Sequence, residues 1–206
     1  MTVKINADTS DGLKLVSDTS GTIDLQSNGT TKVSMDAAGN LTATSFVGSG
    51  ASLTGLSGGI TQADIWRLTS NITSDTGGVS AFERADDGQT TKVGDGISFS
   101  TPYFSFPETG IYLIQSQVQF APTNDSDNVI WSTVYYNSST SSADTLAESQ
   151  GSDGNTSSFS QCILDVTNTT NDKVYFSVAS LASGGNITGN TNVNNTCVLF
   201  LRLGDT

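Results

Sequence analysis

The chain has 206 residues, of which 35% are hydrophobic and 14% charged, and its formal net charge is −12. Its eight Lys and Arg are scattered singly, so no basic stripe exists to neutralise a phosphate backbone or an anionic bilayer, and neither nucleic-acid binding nor membrane insertion is expected. Histidine is absent, which removes the commonest general base and metal ligand and every Ser-His or Cys-His dyad.

Gly, Ser, Thr, Asn and Asp are abundant and helix formers do not occur in runs. Ser, Thr and Asn compete with a helix for its backbone hydrogen bonds, so short strands joined by polar turns are predicted. No apolar run is long enough to span a bilayer. Residues 1–6 lack the apolar core of a signal peptide, which fits release by lysis or a trimmed terminus.

Residues 1 to about 60 carry small apolar clusters: Leu13-Lys14-Leu15-Val16, Thr22-Ile23-Asp24-Leu25, Lys32-Val33-Ser34-Met35 and Leu41-Thr42-Ala43. Ser20-Gly21, Asn28-Gly29 and Gly39-Asn40 punctuate them as turns, giving a strand-and-turn repeat of roughly nine or ten residues. With Phe46 as its one aromatic, this half cannot bury enough surface in a single copy to offset chain entropy. Either several copies wrap round a common axis as a shaft, or the segment is a tether. The stretch Met35-Asp36-Ala37-Ala38-Gly39-Asn40-Leu41-Thr42-Ala43-Thr44-Ser45-Phe46-Val47-Gly48, continuing to Leu53-Thr54-Gly55-Leu56, resembles a module of bacteriophage tail-fibre and other virion appendage proteins. The resulting division is a fibre-like stalk or attachment segment at 1–47, a Gly/Ser-rich linker at 48–60 and a head at 61–206.

Aromatic and β-branched residues rise beyond the linker. Strands are predicted at 62–69, 79–84, 97–106, 110–121, 128–137, 157–167, 172–182 and 195–203, at the spacing of an antiparallel sandwich. In 110–121, Tyr112, Ile114, Ser116, Val118 and Phe120 share one face, and Leu113, Gln115, Gln117 and Gln119 the other. Phe106-Pro107-Glu108-Thr109-Gly110-Ile111-Tyr112-Leu113-Ile114-Gln115-Ser116-Gln117-Val118-Gln119-Phe120 resembles the central strand of the tumour necrosis factor and complement C1q superfamily. Leu164-Asp165-Val166 before Asp172-Lys173-Val174, and the closing Cys197-Val198-Leu199-Phe200-Leu201, extend the likeness over about 62–204. Ile114 and Ser116 stand where the complement pattern prefers aromatics, so the likeness leans to the tumour necrosis factor side.

The resemblance implies a ten-strand jelly roll (TNF/C1q-like) assembling as a homotrimer. The closing strand supports association independently. If Cys197, Leu199, Leu201 and Leu203 fill the core, Val198 and Phe200 on the reverse face need cover from neighbouring subunits or from the chain's own N-terminal segment. By analogy with the family, Leu113, Gln115 and Phe159 join Val198 and Phe200 at the interface.

The candidate chemistry is sparse. Glu83, Asp86 and Asp87 cluster, as do Asp125 and Asp127, but acids in Gly/Ser/Asn-rich loops are ordinarily solvated turn formers. Asp125-Ser126-Asp127-Asn128 lacks the bidentate Glu of a full calcium loop. Cys162 and Cys197 read as buried thiols, with a disulfide left open. No cofactor or catalytic residue is expected. The polar stretch 137–154 is predicted to be a long recognition loop, with Tyr135, Tyr136, Asn137 and Asp144 as receptor-binding candidates, the tyrosines being equally suited to the core. The function expected is that of a non-enzymatic structural virion protein. Its N-terminal segment would attach to the virion or tail, and its trimeric head would bind a host surface glycan or protein. The alternatives are a secreted or surface binding module of a cell, and a polysaccharide depolymerase.

Overall fold

Backbone hydrogen bonding and turn chemistry set the N-terminal sheet. A computed structural model describes residues 21–45, 59–85, 92–121, 128–151 and 156–206. The cluster at 13–16, Phe46, and Asp86, Asp87, Asp125 and Asp127 lie outside the described residues. The chain divides into two units between Leu56 and Ser57. In the first, strands β1 (Ile23–Ser27), β2 (Thr30–Met35) and β3 (Leu41–Ala43) form an antiparallel sheet in that order. Asn28 and Gly29 both have positive φ, 52° and 71°, the conformation a two-residue hairpin turn demands and these residues tolerate. The next turn is held by Asp36, whose carboxylate accepts the Ala38 and Asn40 backbone N–H groups at 2.9 Å and the Asn40 side-chain amide at 2.8 Å. Those hydrogen bonds, the Asn40 side chain foremost, hold the Asp36 carboxyl below its ordinary range.

Register places Ile23 opposite Met35, Met35 opposite Leu41, Leu25 opposite Val33, and Val33 opposite Ala43. Directly paired residues share a face, so six apolar side chains lie on one side of this sheet and Asp24, Ser34 and Thr42 on the other. The apolar side is poorly covered: Leu25, Met35 and Leu41 are exposed.

The second unit is a two-sheet sandwich. Its strands are β4 (Ala63–Leu68), β5 (Phe82–Arg84), β6 (Ser98–Ser100), β7 (Tyr103–Ser105), β8 (Gly110–Ala121), β9 (Val129–Asn137), β10 (Ser142–Gly151), β11 (Thr156–Val166), β12 (Asp172–Ala179), β13 (Asn186–Ile187) and β14 (Cys197–Gly204). One sheet runs β10-β9-β12-β7-β6; the other runs β11-β8-β14-β4-β5, with β13 added beside the far end of β8. All pairings are antiparallel.

The alternation predicted for β8 holds along its length, with Tyr112, Ile114, Ser116, Val118 and Phe120 buried. Phe104 sits at the centre of the core, its ring centroid within 5.6 Å of those of Trp66, Phe82, Phe99, Phe176 and Phe200. Two buried acids are bound by fixed donors, as burial of charge requires. Asp64 accepts Arg84 Nε at 3.1 Å and the Ile97 N–H at 2.8 Å, while the Arg84 guanidinium lies 4.7 Å from the Trp66 ring centroid. Asp172 accepts the Thr167 and Asn168 N–H groups at 2.9 and 2.8 Å and the Tyr135 hydroxyl at 2.8 Å.

Three expectations are corrected. The segment 97–106 is two strands, because the chain reverses at Thr101–Pro102 between β6 and β7. The stretch predicted as a long loop at 137–154, of which 152–154 lie outside the described residues, is over 137–151 a tight turn at 138–141 followed by β10, paired to β9 over the whole length of β10. Its polarity reflects an edge strand with most side chains in water. The closing strand is inverted relative to the prediction. Val198 and Phe200 are 0% and 1% exposed, whereas Leu203 is 54% exposed and Cys197, Leu199 and Leu201 are half-buried.

Candidate binding surfaces

The inversion of β14 follows from register. Phe200 is paired with Ile114 and Val198 with Ser116, both core-facing residues of β8, so Val198 and Phe200 must face the core too. They are not interface residues. Cys197, Leu199 and Leu201 pair with Gln117, Gln115 and Leu113 and take the outer face instead.

That outer face is a regular grid. One row across the sheet is Ile163, Leu113, Leu201 and Ala63; the next is Gln161, Gln115, Leu199 and Ile65; the third is Phe159, Gln117, Cys197 and Arg67. Ile65, Gln115, Gln117, Phe159, Cys197 and Leu199 line a shallow hollow of about 180 Å3 on it. Phe159 and Ile163 are 61% and 66% exposed. Gln117 is fixed by donating its amide to the Asn194 and Asn195 carbonyls at 2.9 and 3.3 Å, and Arg67 by Nε to Glu83 at 2.7 Å. Leu113, Gln115 and Phe159 therefore share one surface, and the residues that sequence reasoning missed there are Ile65, Ile163 and Leu199. A β14 phase taken from β8 would have found Leu199.

The thiols stand on opposite sides of this sheet. Cys162 pairs with core-facing Ile114, Cys197 with outward Gln117, and β8 separates their strands. Both are free, and burial pushes both thiols up, Cys162 to about 11. Thiols so displaced are poor nucleophiles at neutral pH.

The receptor-binding candidates fall in different places. Tyr135 points into the sandwich, where its hydroxyl donates to Asp172 and accepts the Asn137 amide at 3.1 Å. Tyr135 and Asn137 are thus parts of one anchor joining β9 to the turn before β12. Asp144 is exposed on edge strand β10, opposite Tyr135. Tyr136 alone of the two tyrosines faces outward, stacked on Tyr103 with centroids 4.9 Å apart and planes at 20°. Tyr175 meets Tyr103 edge-on at 5.7 Å. Lys173, paired in register with Tyr136, donates its ammonium to the Ser105 hydroxyl at 3.0 Å.

Of the acids considered for catalysis, Glu83 is engaged by Arg67 and the other four lie outside the described residues. Among the described residues no group of three or more His, Cys, Asp or Glu side chains is arranged to hold a metal.

No protein-family model matches the chain, and no curated protein matches it. Solved structures do. Murine APRIL at pH 8.5 superposes with a TM-score of 0.54 at 16% identity, covering 69% of this chain and 98% of that one. Eiger TNF from S. frugiperda gives a TM-score of 0.52 at 12% identity, covering 70% and 93%. Murine APRIL at pH 5.0 gives 0.52 at 16%, covering 69% and 98%. With its β4-β14-β8-β11 sheet packed on a β7-β12-β9-β10 sheet, the C-terminal unit has a jelly-roll fold similar to that of these APRIL and Eiger TNF structures.

Proposed function

We propose that the chain is a structural virion protein, a fibre or appendage whose head trimerises and binds the host cell surface without catalysis. The observation that carries the trimer is the outer face of the β11-β8-β14-β4 sheet. Phe159 and Ile163 protrude from it beside Leu113, Leu199 and Ile65, where one wet face is the norm for an antiparallel sheet. Covering an exposed side chain such as Phe159 or Ile163 is worth roughly 1.5–3 kcal/mol and a half-buried one about half that, and a closed ring of three copies covers all of them without leaving an open surface that would polymerise.

The N-terminal sheet supports the same stoichiometry. Three short strands with one bare apolar face are marginal in water, and three copies turned inward supply one another's missing layer. Attachment to a particle rests on the likeness of residues 35–56 to tail-fibre modules, and a virion location, extracellular after release, goes with it. Binding rather than catalysis is supported by the engagement of Asp64, Glu83 and Asp172 in structural contacts. Three weak sites on one rigid head gain avidity through effective concentration.

The test is electron microscopy of particles from lysates of the source, labelled with antibody to this chain, together with competition of particle adsorption by excess purified protein. Labelled appendages and reduced adsorption are expected. Unlabelled particles whose adsorption is unaffected would overturn the reading.

A further inference from the structure

We propose that the outer face of the β7-β12-β9 layer is a saccharide-binding platform, built from Tyr103, Tyr136, Tyr175 and Lys173, that takes a sugar unit bearing a carboxylate. The inference deepens the binding role proposed above. A two-sheet sandwich has two outer faces. If the β11-β8-β14-β4 face is spent on neighbouring subunits, the opposite face is the one turned away from the threefold axis and toward a partner.

Its composition differs from the aliphatic face. Tyr103 and Tyr136 stack, Tyr175 closes on Tyr103 edge-on, and all three are half-buried, so each is partly open to solvent. Phenylalanine would pack a cross-strand ladder equally well; a phenol adds a donor and acceptor at the wet end of an apolar ring. Desolvation and the adjoining Tyr136 and Tyr175 phenols push the Tyr103 phenol up, and like any phenol it is a neutral donor at pH 7. Sugars present an apolar C–H face ringed by hydroxyls, and an aromatic surface edged with hydroxyls matches both.

Charge selects among sugars. In a chain of net charge −12, Arg67, Arg84 and Arg202 are each paired with carboxylates. Lys173 has no carboxylate partner among the described residues; it stands in register between Tyr136 and Ser105, and its ammonium donates to the Ser105 hydroxyl on the strand that carries Tyr103. A compact cation with donors to spare beside three phenols complements a single carboxylate. Beyond about 8 Å the remaining negative field is screened at physiological salt. The platform therefore fits an acidic sugar within a glycan.

The test uses the full chain and an oligosaccharide of alternating glucuronic acid and N-acetylglucosamine, alongside the same oligosaccharide with its carboxylates reduced to alcohols. Saturation-transfer NMR and titration read the contacts and affinities, and sedimentation of the same samples reads the assembly state. Sugar-ring protons are expected to receive saturation, and the acid is expected to bind roughly tenfold or more tightly than its reduced form. Lys173→Met should erase that preference while retaining weak binding. Tyr175→Phe, which keeps the packing, should weaken both sugars severalfold, and Tyr175→Ala more so. Absence of binding up to about 10 mM, the weak end of specific recognition, overturns the proposal, as does wild-type affinity in both Lys173→Met and Tyr175→Phe. A monomer that binds the acid would refute the trimer alone; a trimer that does not bind would refute the platform alone.

Discussion

Leu199 and Phe200 are neighbours on β14 with opposite environments, and replacing them one at a time separates folding from assembly. Phe200 is 1% exposed and its ring lies 5.1 Å from that of Phe104, 6.1 Å from Phe106 and 6.5 Å from Phe176. Phe200→Ala leaves a cavity among aromatic rings that cannot collapse, at about 3–5 kcal/mol per chain. Leu199 faces outward beside Gln115 and Ile65, half-buried in the single chain. Leu199→Ser should cost the lone chain about 1 kcal/mol or less. The remaining half of each leucine's burial, three times over, amounts to roughly 2–4 kcal/mol of trimer stability, a roughly thirty- to thousandfold loss in assembly constant. Urea unfolding followed by the fluorescence of buried Trp66 and Trp131, at two concentrations about a hundredfold apart, reads both quantities. Phe200→Ala should lower the midpoint at both concentrations. Leu199→Ser should mainly lower it at the high concentration, flattening the concentration dependence. If Leu199→Ser proves the more damaging in dilute solution, the assigned phase of β14 is wrong.

Gly151→Ala should destabilise the head by about 1–3 kcal/mol, visible as a lowered thermal midpoint, because a methyl there meets the fully buried Phe120 ring of β8 in the facing sheet. Alkaline pH should weaken the fold through Tyr112. Burial pushes its phenol up to about 12, from about 10 in the unfolded chain, so the fold prefers the neutral form. That preference is fully present below about pH 10 and is lost as pH rises toward 12, at up to about 1.4 kcal/mol per pH unit, measurable as a falling urea midpoint. Tyr112→Phe should flatten this slope while losing the hydroxyl's 3.0 Å hydrogen bond to the Glu108 carbonyl.

What the sequence disclosed depended on whether a residue's neighbours lie along the chain or across it. The Asn28-Gly29 hairpin and the unbroken alternation of β8 are local, and both appear as predicted. The phase of β14 is not local. Both of its faces are apolar, and counting residues assigned the larger set to the core, whereas pairing with β8 assigns the pair Val198 and Phe200. β10 escaped notice because an edge strand whose side chains mostly meet water carries no apolar periodicity. Tyr135 and Tyr136 are adjacent and indistinguishable in the sequence; strand geometry sends one to Asp172 in the interior and the other to Tyr103 on the surface. Tyr103 and Tyr175, more than seventy residues apart in the chain, meet only because β12 pairs with β7.

Sedimentation equilibrium of the purified 206-residue chain at micromolar concentration tests the trimer most directly. A folded species with the mass of three chains is predicted, shifted toward single chains by Leu199→Ser and by Ile163→Asp. A well-folded single chain at every concentration, with Phe159 and Ile163 bare to solvent, would contradict it.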